Sequence, residues 1–418
     1  MIRNSWMMFA LVAGVTVGSF SLADAPAADK VTAALRGSLF QPADFASLGT
    51  LTVDAGKAVR FDTGSATTLP SISGVLTGKG QLGVSQSGEV QVAVFAFDSI
   101  QLGKGATVTI TGDRGIVLLS KNAIAIDTTL SVSGANGQRK HDNAPQDVQM
   151  ADGGPGGDGG VYGKSLDSAP PPAHGGNGGP PMKDTGQPGR GFGAGFNERV
   201  KGGAPGGGGA YGGAGGDSTI GSQGNGNPPR PCPGGKVYGD AALADLFGGS
   251  GGAGGSHDRS GATTGGGGAG GAIALIARTS IELGADARIL AEGGASAQWH
   301  VCGGGGSGGA ILIAAPTLKV DPAATISAAG GAGASGLGNI GLEIVANRGR
   351  RQSGSGGGGG GGRIAIYTNE DLGQPGKDQI EKMAPKNITL NVDGGNGGYK
   401  AQDGAAGTIY DGKWIDLK

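Results

Sequence analysis

The stretch GGGGSGGAILI at residues 303–313 decides the fold of this chain, because a glycine block runs directly into a β-branched apolar run. Related stretches begin at Gly265 and Gly356. Each continues into further short apolar runs, which in the first two copies begin 7 or 8 residues apart, as at Ile311 and Leu318. This spacing leaves no room for the helices of βαβ crossovers. The sequence therefore predicts an all-β protein of short strands.

The three copies begin 38 and then 53 residues apart, at positions 265, 303 and 356, and an insertion at 336–355 absorbs the difference. Constant strand content with variable loop length is typical of a stacked solenoid, in which each copy covers the apolar face of its neighbour. Three strands per copy favour a parallel β-helix with three sheets. The alternative is an antiparallel sandwich, because strands at intervals of about 8–12 residues also suit that fold.

Glycine divides the mature chain into regions. Of the 95 glycines, 13 lie in residues 26–133 and 80 in residues 134–418. We predict N-terminal β-helix coils at 26–133, a glycine-rich insertion at 134–260 and C-terminal coils at 261–418. Glycine at every third position alone, as in collagen, is not found. The insertion is expected to be either packed polyproline-II-like segments or a disordered lobe. Deletion of residues 153–260 is expected to leave the coils folded but unable to attach to cells or matrix.

Residues 1–25 predict a secretory signal peptide. Arg3 supplies a positive start, an apolar run occupies residues 9–20, and Ala23-Asp24-Ala25 has the small residues that signal peptidase requires. The run is shorter than the ~20 residues of a membrane-spanning helix. We therefore expect a secreted or cell-surface protein that does not span the membrane. The net charge of −1 gives it no electrostatic reason to bind nucleic acid.

Several stretches resemble those of a group of glycine-rich secreted bacterial proteins without an agreed activity. They are residues 116–119 and 130–134, 238–243 leading into 248–252, 303–313, 362–367 and 407–410. The resemblance covers roughly residues 90–411. It implies a right-handed parallel β-helix located outside the cell or on its surface, and it adds nothing about chemistry.

Cysteine and acidic residues supply the candidates for a disulfide and a metal site. Cys232 and Cys302 form an even pair in an exported chain, which favours one disulfide. Asp158 and Asp217 each follow a Gly-Gly-x-Gly start like that of a calcium-binding nonapeptide. These copies are isolated rather than tandem, so aspartate as a turn former is the favoured interpretation and no cofactor is expected.

Ligand contacts are predicted at one basic cluster and in the glycine-rich insertion. Arg348, Arg350 and Arg351 lie together in the variable insertion, either as a solvated loop or as a contact for anionic glycan or lipid head groups. Tyr162 and Tyr211 lie in the glycine-rich region, with further aromatic residues at Phe192, Phe196 and Tyr238. Aromatic rings there either fix the insertion to the coils or stack on sugars.

Catalytic residues are not predicted. The four histidines lie in glycine-rich loops, and no Gly-x-Ser-x-Gly elbow joins a strand to a helix. We predict an exported structural or adhesive protein that contacts cell-surface glycan or other envelope or matrix components. A polysaccharide lyase or hydrolase is one alternative, because carboxylates such as Asp98, Asp127 and Glu282 could converge in space. An ice- or mineral-binding protein with a threonine ladder is another.

Overall fold

A computed structural model describes residues 40–85, 90–138, 151–155, 191–196, 205–220, 231–255, 264–299, 301–336, 354–369, 380–383 and 388–414. Contacts group Thr32–Lys418 as one compact unit. The unit Met1–Val31, which contains the predicted signal peptide, lies outside the described residues. Among the described residues, no helix is long and apolar enough to cross a membrane.

The described part is almost entirely β-strand and irregular backbone, with one 3-10 turn at Pro42–Asp44. The strands are β1 (Thr50–Val53), β2 (Ala58–Asp62), β3 (Ser71–Gly74), β4 (Gly78–Lys79), β5 (Gln81–Val84), β6 (Gln91–Phe97), β7 (Ser99–Leu102), β8 (Thr107–Thr111), β9 (Gly115–Ser120), β10 (Ala123–Ile126), β11 (Thr129–Ser131), β12 (Thr219–Ile220), β13 (Ala272–Ala277), β14 (Ser280–Leu283), β15 (Arg288–Leu290), β16 (Ala310–Ala314), β17 (Thr317–Val320), β18 (Thr325–Ser327), β19 (Gly354–Ser355), β20 (Arg363–Thr368), β21 (Ile380–Met383), β22 (Ile388–Asn391) and β23 (Thr408–Lys413).

These strands form four main sheets and one small antiparallel pair, β12–β19. Sheet I has the order β23-β20-β16-β13-β9-β6-β5, and sheet II has the order β1-β7-β10-β14-β17. Sheet III has the order β11-β15-β18-β22-β21, and sheet IV has the order β4-β3-β2-β8. Antiparallel pairs occur only where β3, β4, β5 or β21 takes part, apart from β12–β19. The other pairs are parallel, so the antiparallel sandwich is the wrong alternative.

Equivalent strands of the three sequence copies lie side by side. Ile273 pairs with Ile311 and Ile311 pairs with Ile364 in sheet I, and Ile289 pairs with Ile326 in sheet III. The predicted apolar runs are therefore strands, and like side chains stack on like side chains across the copies. The predicted runs do not include β3 to β7, β12, β19, β21 and β23.

The five central strands of sheet I, β6, β9, β13, β16 and β20, are buried on both faces. Ile273 and Leu275 point into one apolar cluster, whereas Ala272, Ala274 and Ile276 belong to a second. The first cluster also contains the inward residues of sheets II and III. Because neither face meets water, these strands read as unbroken apolar runs, not as an alternation.

The glycine-rich insertion covers the second face of sheet I. Leu243, Leu246 and Phe247 join Tyr211 in the apolar cluster that contains Leu312 and the outer residues of β13. Removal of residues 153–260 would expose this face to water. Whether the coils stay folded without them stays a prediction. The boundary at residue 260 does not separate compact units, because both sides lie within Thr32–Lys418.

Glycine blocks at 205–213, 248–255, 264–271, 303–309 and 354–362 are buried and lie largely outside the strands. Successive N–H groups of residues 302–309 point to three different neighbours and return to the same neighbour every third residue. The N–H groups of residues 302, 305 and 308 donate to residues 354, 357 and 360. Those of residues 304 and 307 donate to residues 253 and 250, and those of residues 306 and 309 donate to residues 294 and 291. The donor–acceptor pairs are Cys302–Gly354, Gly305–Gly357, Gly308–Gly360, Gly304–Ala253, Ser307–Ser250, Gly306–Gly294 and Gly309–Ala291, at 2.7–3.1 Å.

Glycine is required in these blocks because the backbones are in contact. A Cβ atom on Gly305 would overlap the carbonyl oxygen of Gly331, and one on Gly308 would overlap that of Ala328. The described blocks from both sides of residue 260 therefore form one backbone-to-backbone network, the glycine layer. The described glycine blocks are therefore part of the interior and not loops on the surface of the sheets.

The rows of sheet III continue into the glycine layer without a change of register. Residues 132, 134 and 137 donate to residues 290, 292 and 295, each 158 positions later. In the same way, residues 291, 293 and 296 donate to residues 36 positions later, and residues 328, 330 and 333 donate to residues 63 positions later. The donor–acceptor pairs are Val132–Leu290, Gly134–Glu292, Gly137–Ala295, Ala291–Ser327, Gly293–Ala329, Ser296–Ala332, Ala328–Asn391, Gly330–Asp393 and Gly333–Asn396, at 2.8–2.9 Å. Along each row the interval between donors changes from two residues to three where the strand ends.

Candidate functional site

A buried arginine joins the insertion to sheet I. Arg363, the first residue of β20, is 4% exposed, and its Nη2 donates to the carbonyl oxygens of Tyr238 at 2.7 Å and Gly239 at 3.2 Å. Its Nη1 donates to Thr408 Oγ1 at 2.9 Å. The guanidinium also lies 5.2 Å from the ring centroid of Tyr211. Sequence reasoning missed this role, although an arginine directly after seven glycines was a usable signal.

Tyr211 is fully buried, which corrects its prediction as a ligand contact. Its ring lies 4.9 Å from that of Tyr238, and its hydroxyl has no hydrogen-bond partner among the described residues. Burial raises the pKa of Tyr211 well above its ordinary value. The side chain is therefore neutral and fixes the insertion to the sheet.

Tyr238 has the same fixing role through a different set of contacts. Its hydroxyl donates to the carbonyl oxygen of Gly248 at 2.6 Å and accepts from Ser250 Oγ at 2.9 Å. Burial raises its pKa, so it too stays protonated. Ser250 Oγ in turn accepts the N–H of Gly193 at 3.1 Å. These contacts join two described segments of the insertion, 191–196 and 231–255, around one hydroxyl pair.

Two phenylalanines of the insertion reach the surface. Phe192 is 39% exposed and Phe196 is 38% exposed. The Phe192 ring is anchored at its base by Tyr238, 5.4 Å between centroids. The structure thus divides the aromatic residues of the insertion into buried anchors and an exposed pair. Tyr162 lies outside the described residues.

The two cysteines are both buried thiols in the structure. Cys302 Sγ donates to the carbonyl oxygen of Trp299 at 3.2 Å, and burial raises the pKa of Cys302 to about 11. Their segments are close neighbours of residues 205–218: the Gly206 N–H donates to Cys302 O at 3.0 Å, and the Ser218 N–H donates to Cys232 O at 2.9 Å. The disulfide between them stays a prediction.

Asp217 takes part in the glycine layer. Its Oδ1 accepts the N–H of Gly234 at 2.8 Å, and its own N–H donates to Gln402 Oε1 at 3.2 Å. Both contacts join segments that are distant in sequence, so the turn-forming interpretation of this aspartate stays a prediction. In the described ranges no three His, Cys, Asp or Glu side chains are placed to hold a metal ion. Asp158, the other calcium candidate, lies outside the described residues.

Two aspartates from distant parts of the sequence meet at a surface turn. Asp127 Oδ1 accepts the N–H of Asp286 at 2.9 Å, and Asp286 pairs with Lys104 at 2.6 Å. The hydrogen bond and charge of Asp286 raise the pKa of Lys104, and those of Lys104 lower the pKa of Asp286. General acid–base catalysis near neutral pH needs shifts in the opposite direction. This turn is therefore an ion pair, not a pair of carboxylates suited to glycan cleavage.

The outward side of sheet II does not form a threonine ladder. Its first outward position changes from row to row in the described strands: Thr50, Ser99, Ala123, Ser280 and Thr317. The next position carries Gln101, Glu282 and Lys319 among others. The run Thr107-x-Thr109-x-Thr111 lies in β8 of sheet IV, where its threonines pair with Ala58, Arg60 and Asp62, so the Thr-x-Thr pattern does not repeat on the paired strand.

The remaining predicted contacts cannot be located on this surface. Arg348, Arg350 and Arg351, and all four histidines, lie outside the described residues. Comparison with protein-family models, curated proteins and solved structures finds no match for this chain.

Proposed function

We propose that this chain is an exported structural or adhesive protein of the cell surface or extracellular matrix. Its fold in this proposal is a right-handed parallel β-helix joined to a polyproline-II-like glycine layer. The in-register parallel pairing of equivalent strands from successive copies supports the β-helix. The apolar run at residues 9–20 and the small residues before position 26 support export.

The three-residue period of the glycine layer supports the polyproline-II-like interpretation. A polyproline-II helix has three residues per turn and no internal hydrogen bonds, so each N–H is directed to a neighbouring segment. Residues 302–309 direct successive N–H groups to three different segments with this period. Such packing needs glycine wherever two backbones touch.

The observation that most supports a structural function is the set of backbone contacts within the buried glycine layer. Its contacts are made mainly by backbone atoms, with buried side chains such as Ser250 and Ser307 as hydrogen-bonding links. It therefore fixes the relative positions of many segments while presenting few reactive groups. A rigid body of this kind suits a scaffold or a binding surface, because few groups lose freedom when a ligand binds.

A binding and cleavage assay on the purified mature chain tests the proposal. The protein, with calcium present, is incubated with a panel of polysaccharides and with intact cells. We expect retention on at least one glycan or on cells, without release of reducing or unsaturated ends. Asp286→Asn is the control variant, because it removes one carboxylate from the surface ion pair with Lys104. It should leave retention unchanged. Release of ends that depends on one acidic or basic residue of the strands would favour the polysaccharide-active enzyme instead.

A further inference from the structure

Four rows of backbone form one continuous outer face. The rows are 129–138, 288–298, 325–335 and 389–399, and their offsets stay constant from sheet III through the glycine layer. Residues that are aligned across the four rows form a column. The buried residues Val132, Ala291, Ala328 and Val392 form one inward column. The residues that follow them in each row are partly exposed, so they point outward. We call this outer side the four-row face.

Outward columns of the four-row face carry small or hydrogen-bonding side chains. The column after the buried one is Ser133, Glu292, Ala329 and Asp393. Three positions further along, the column is Asn136, Ala295, Ala332 and Asn396, and the last column contains Gln298, Ser335 and Tyr399. Hydroxyls, carboxamides and one exposed tyrosine leave little apolar area for a protein partner, whose interfaces need a buried apolar or aromatic core.

Polar side chains on this face are held in place before any ligand binds. Asn136 Oδ1 accepts the N–H of Ala295 at 2.8 Å, which directs its Nδ2 donors away from the backbone. Gln298 Nε2 donates to the carbonyl oxygen of Ser335 at 3.3 Å. Ser335 Oγ accepts the N–H of Tyr399 at 2.9 Å. A ligand would therefore meet groups that lose little rotamer freedom on binding.

The charges on the face are separated. Glu292 and Asp393 flank Ala329 in adjacent rows, whereas Lys400 Nζ lies 5.3 Å from the ring centroid of Tyr399. Arg288 donates to the carbonyl oxygens of Ala287 and Ala323. Glu292 accepts the hydroxyl of Ser327 at 2.5 Å. The carboxylates of Glu292 and Asp393 lie in the same column as Ala329, so they disfavour a polyanion at this part of the face and leave an uncharged, hydroxyl-rich ligand as the better fit.

We propose that the four-row face binds an uncharged, hydroxyl-rich polysaccharide through Asn136, Asn396 and Tyr399. This inference rests on the proposed function and names the ligand class and the surface for it. The carboxamides exchange hydrogen bonds with sugar hydroxyls, and the Tyr399 ring, 47% exposed, stacks on a sugar face. Ala332 lies between Ala295 and Asn396 in the same column and leaves room for the sugar.

The test uses the full mature chain and measures the fraction retained on insoluble cellulose, on chitin and on immobilised polygalacturonate. Ala332→Arg places a long cation in the centre of the face. Thr52→Arg adds the same side chain to an exposed position of β1 in sheet II. Each variant is compared with the parent by circular dichroism and melting temperature, and Ala332→Ser controls for the loss of alanine.

We expect the parent to be retained on cellulose or chitin and not on polygalacturonate. Ala332→Arg should weaken the apparent affinity by about tenfold or more, equal to ~1.4 kcal/mol, with Thr52→Arg and Ala332→Ser unchanged. Retention of folded Ala332→Arg at the parent level would overturn the four-row face while leaving an adhesive protein. Retention on polygalacturonate alone would overturn the ligand class. Failure of the parent to bind glycans or cells would remove the proposed function as well, and ice-crystal shaping without glycan binding would replace it.

Discussion

Ser250 and Ser307 are hydrogen-bonded to each other twice. The Ser307 N–H donates to the carbonyl oxygen of Ser250 at 2.9 Å, and the Ser250 N–H donates to Ser307 Oγ at 2.8 Å. Both residues are fully buried. Ser250 belongs to the glycine-rich insertion and Ser307 to the stretch that decides the fold. Their pairing shows that the insertion and the strands share one interior.

The glycine layer should tolerate no side chain at its contacts. Gly305→Ala is expected to lower the free energy of unfolding by about 3 kcal/mol, because its Cβ would overlap the backbone of residues 331–332 and backbone must shift. Gly103→Ala is the matched control, since its Cβ would make ordinary contacts of 3.4 Å or more. Chemical denaturation of both variants gives the comparison. Equal stability of the two would show that the layer is not closely packed.

The arginine–tyrosine cluster should respond in opposite ways to two substitutions. Arg363→Met removes donors from the Tyr238 and Gly239 carbonyls and from Thr408, so we expect a loss of about 2–3 kcal/mol. Tyr211→Phe removes a buried hydroxyl without a described partner and should be neutral or slightly stabilising. Melting temperatures measure both effects. A large loss in Tyr211→Phe would mean that its hydroxyl has a partner.

The parts of the fold held by side-chain contacts could be predicted from the sequence, whereas the parts held by backbone contacts could not. Ile273, Ile311 and Ile364 are branched apolar side chains at repeated positions, so their stacking could be predicted. The glycine blocks carry no side-chain pattern, and their contacts are made by carbonyl oxygens and N–H groups. Composition therefore left disorder and close packing as equal alternatives for the insertion.

The surface was harder to predict than the core. Asn136 and Asn396 are 260 positions apart in sequence and align only through two intermediate rows. No local pattern connects them, because the row-to-row offsets of paired residues, 159, 37 and 64, depend on insertions of unequal length. For the same reason the sequence could not separate Tyr211, which is buried, from Phe192, which is exposed.

The cysteine pair gives a prediction about the exported protein. We expect Cys232 and Cys302 to be joined when the chain folds in an oxidising compartment, closing a loop of ~70 residues that stabilises by roughly 4 kcal/mol. Mass spectrometry without reductant should find the protein lighter by two hydrogens. Since the folded Cys302 thiol has a pKa of about 11, oxidation after folding should be slow. Two free thiols in correctly exported protein would end this hypothesis.

Asp393 gives a prediction about pH. Burial raises its pKa above the ordinary 3.8, so the folded state holds the proton more tightly than the unfolded state does. The resulting cost to stability is absent below pH 3.8 and grows as the pH rises through the folded pKa. Asp393→Asn should therefore melt higher than the parent at pH 7 and equally at pH 3. An equal difference at both pH values would contradict this origin.

Amide hydrogen exchange most directly tests the claim that the glycine blocks form an ordered layer. The N–H groups of an ordered layer are protected from exchange, whereas those of a disordered lobe are not. On the full mature chain, peptides covering 205–213, 303–309 and 354–362 are compared with peptides covering β13 and β16. We predict protection of the glycine blocks similar to that of the two strands, because their N–H groups are buried and bonded. Exchange at the rate of an unfolded chain in these blocks, with the strands protected, would contradict the account.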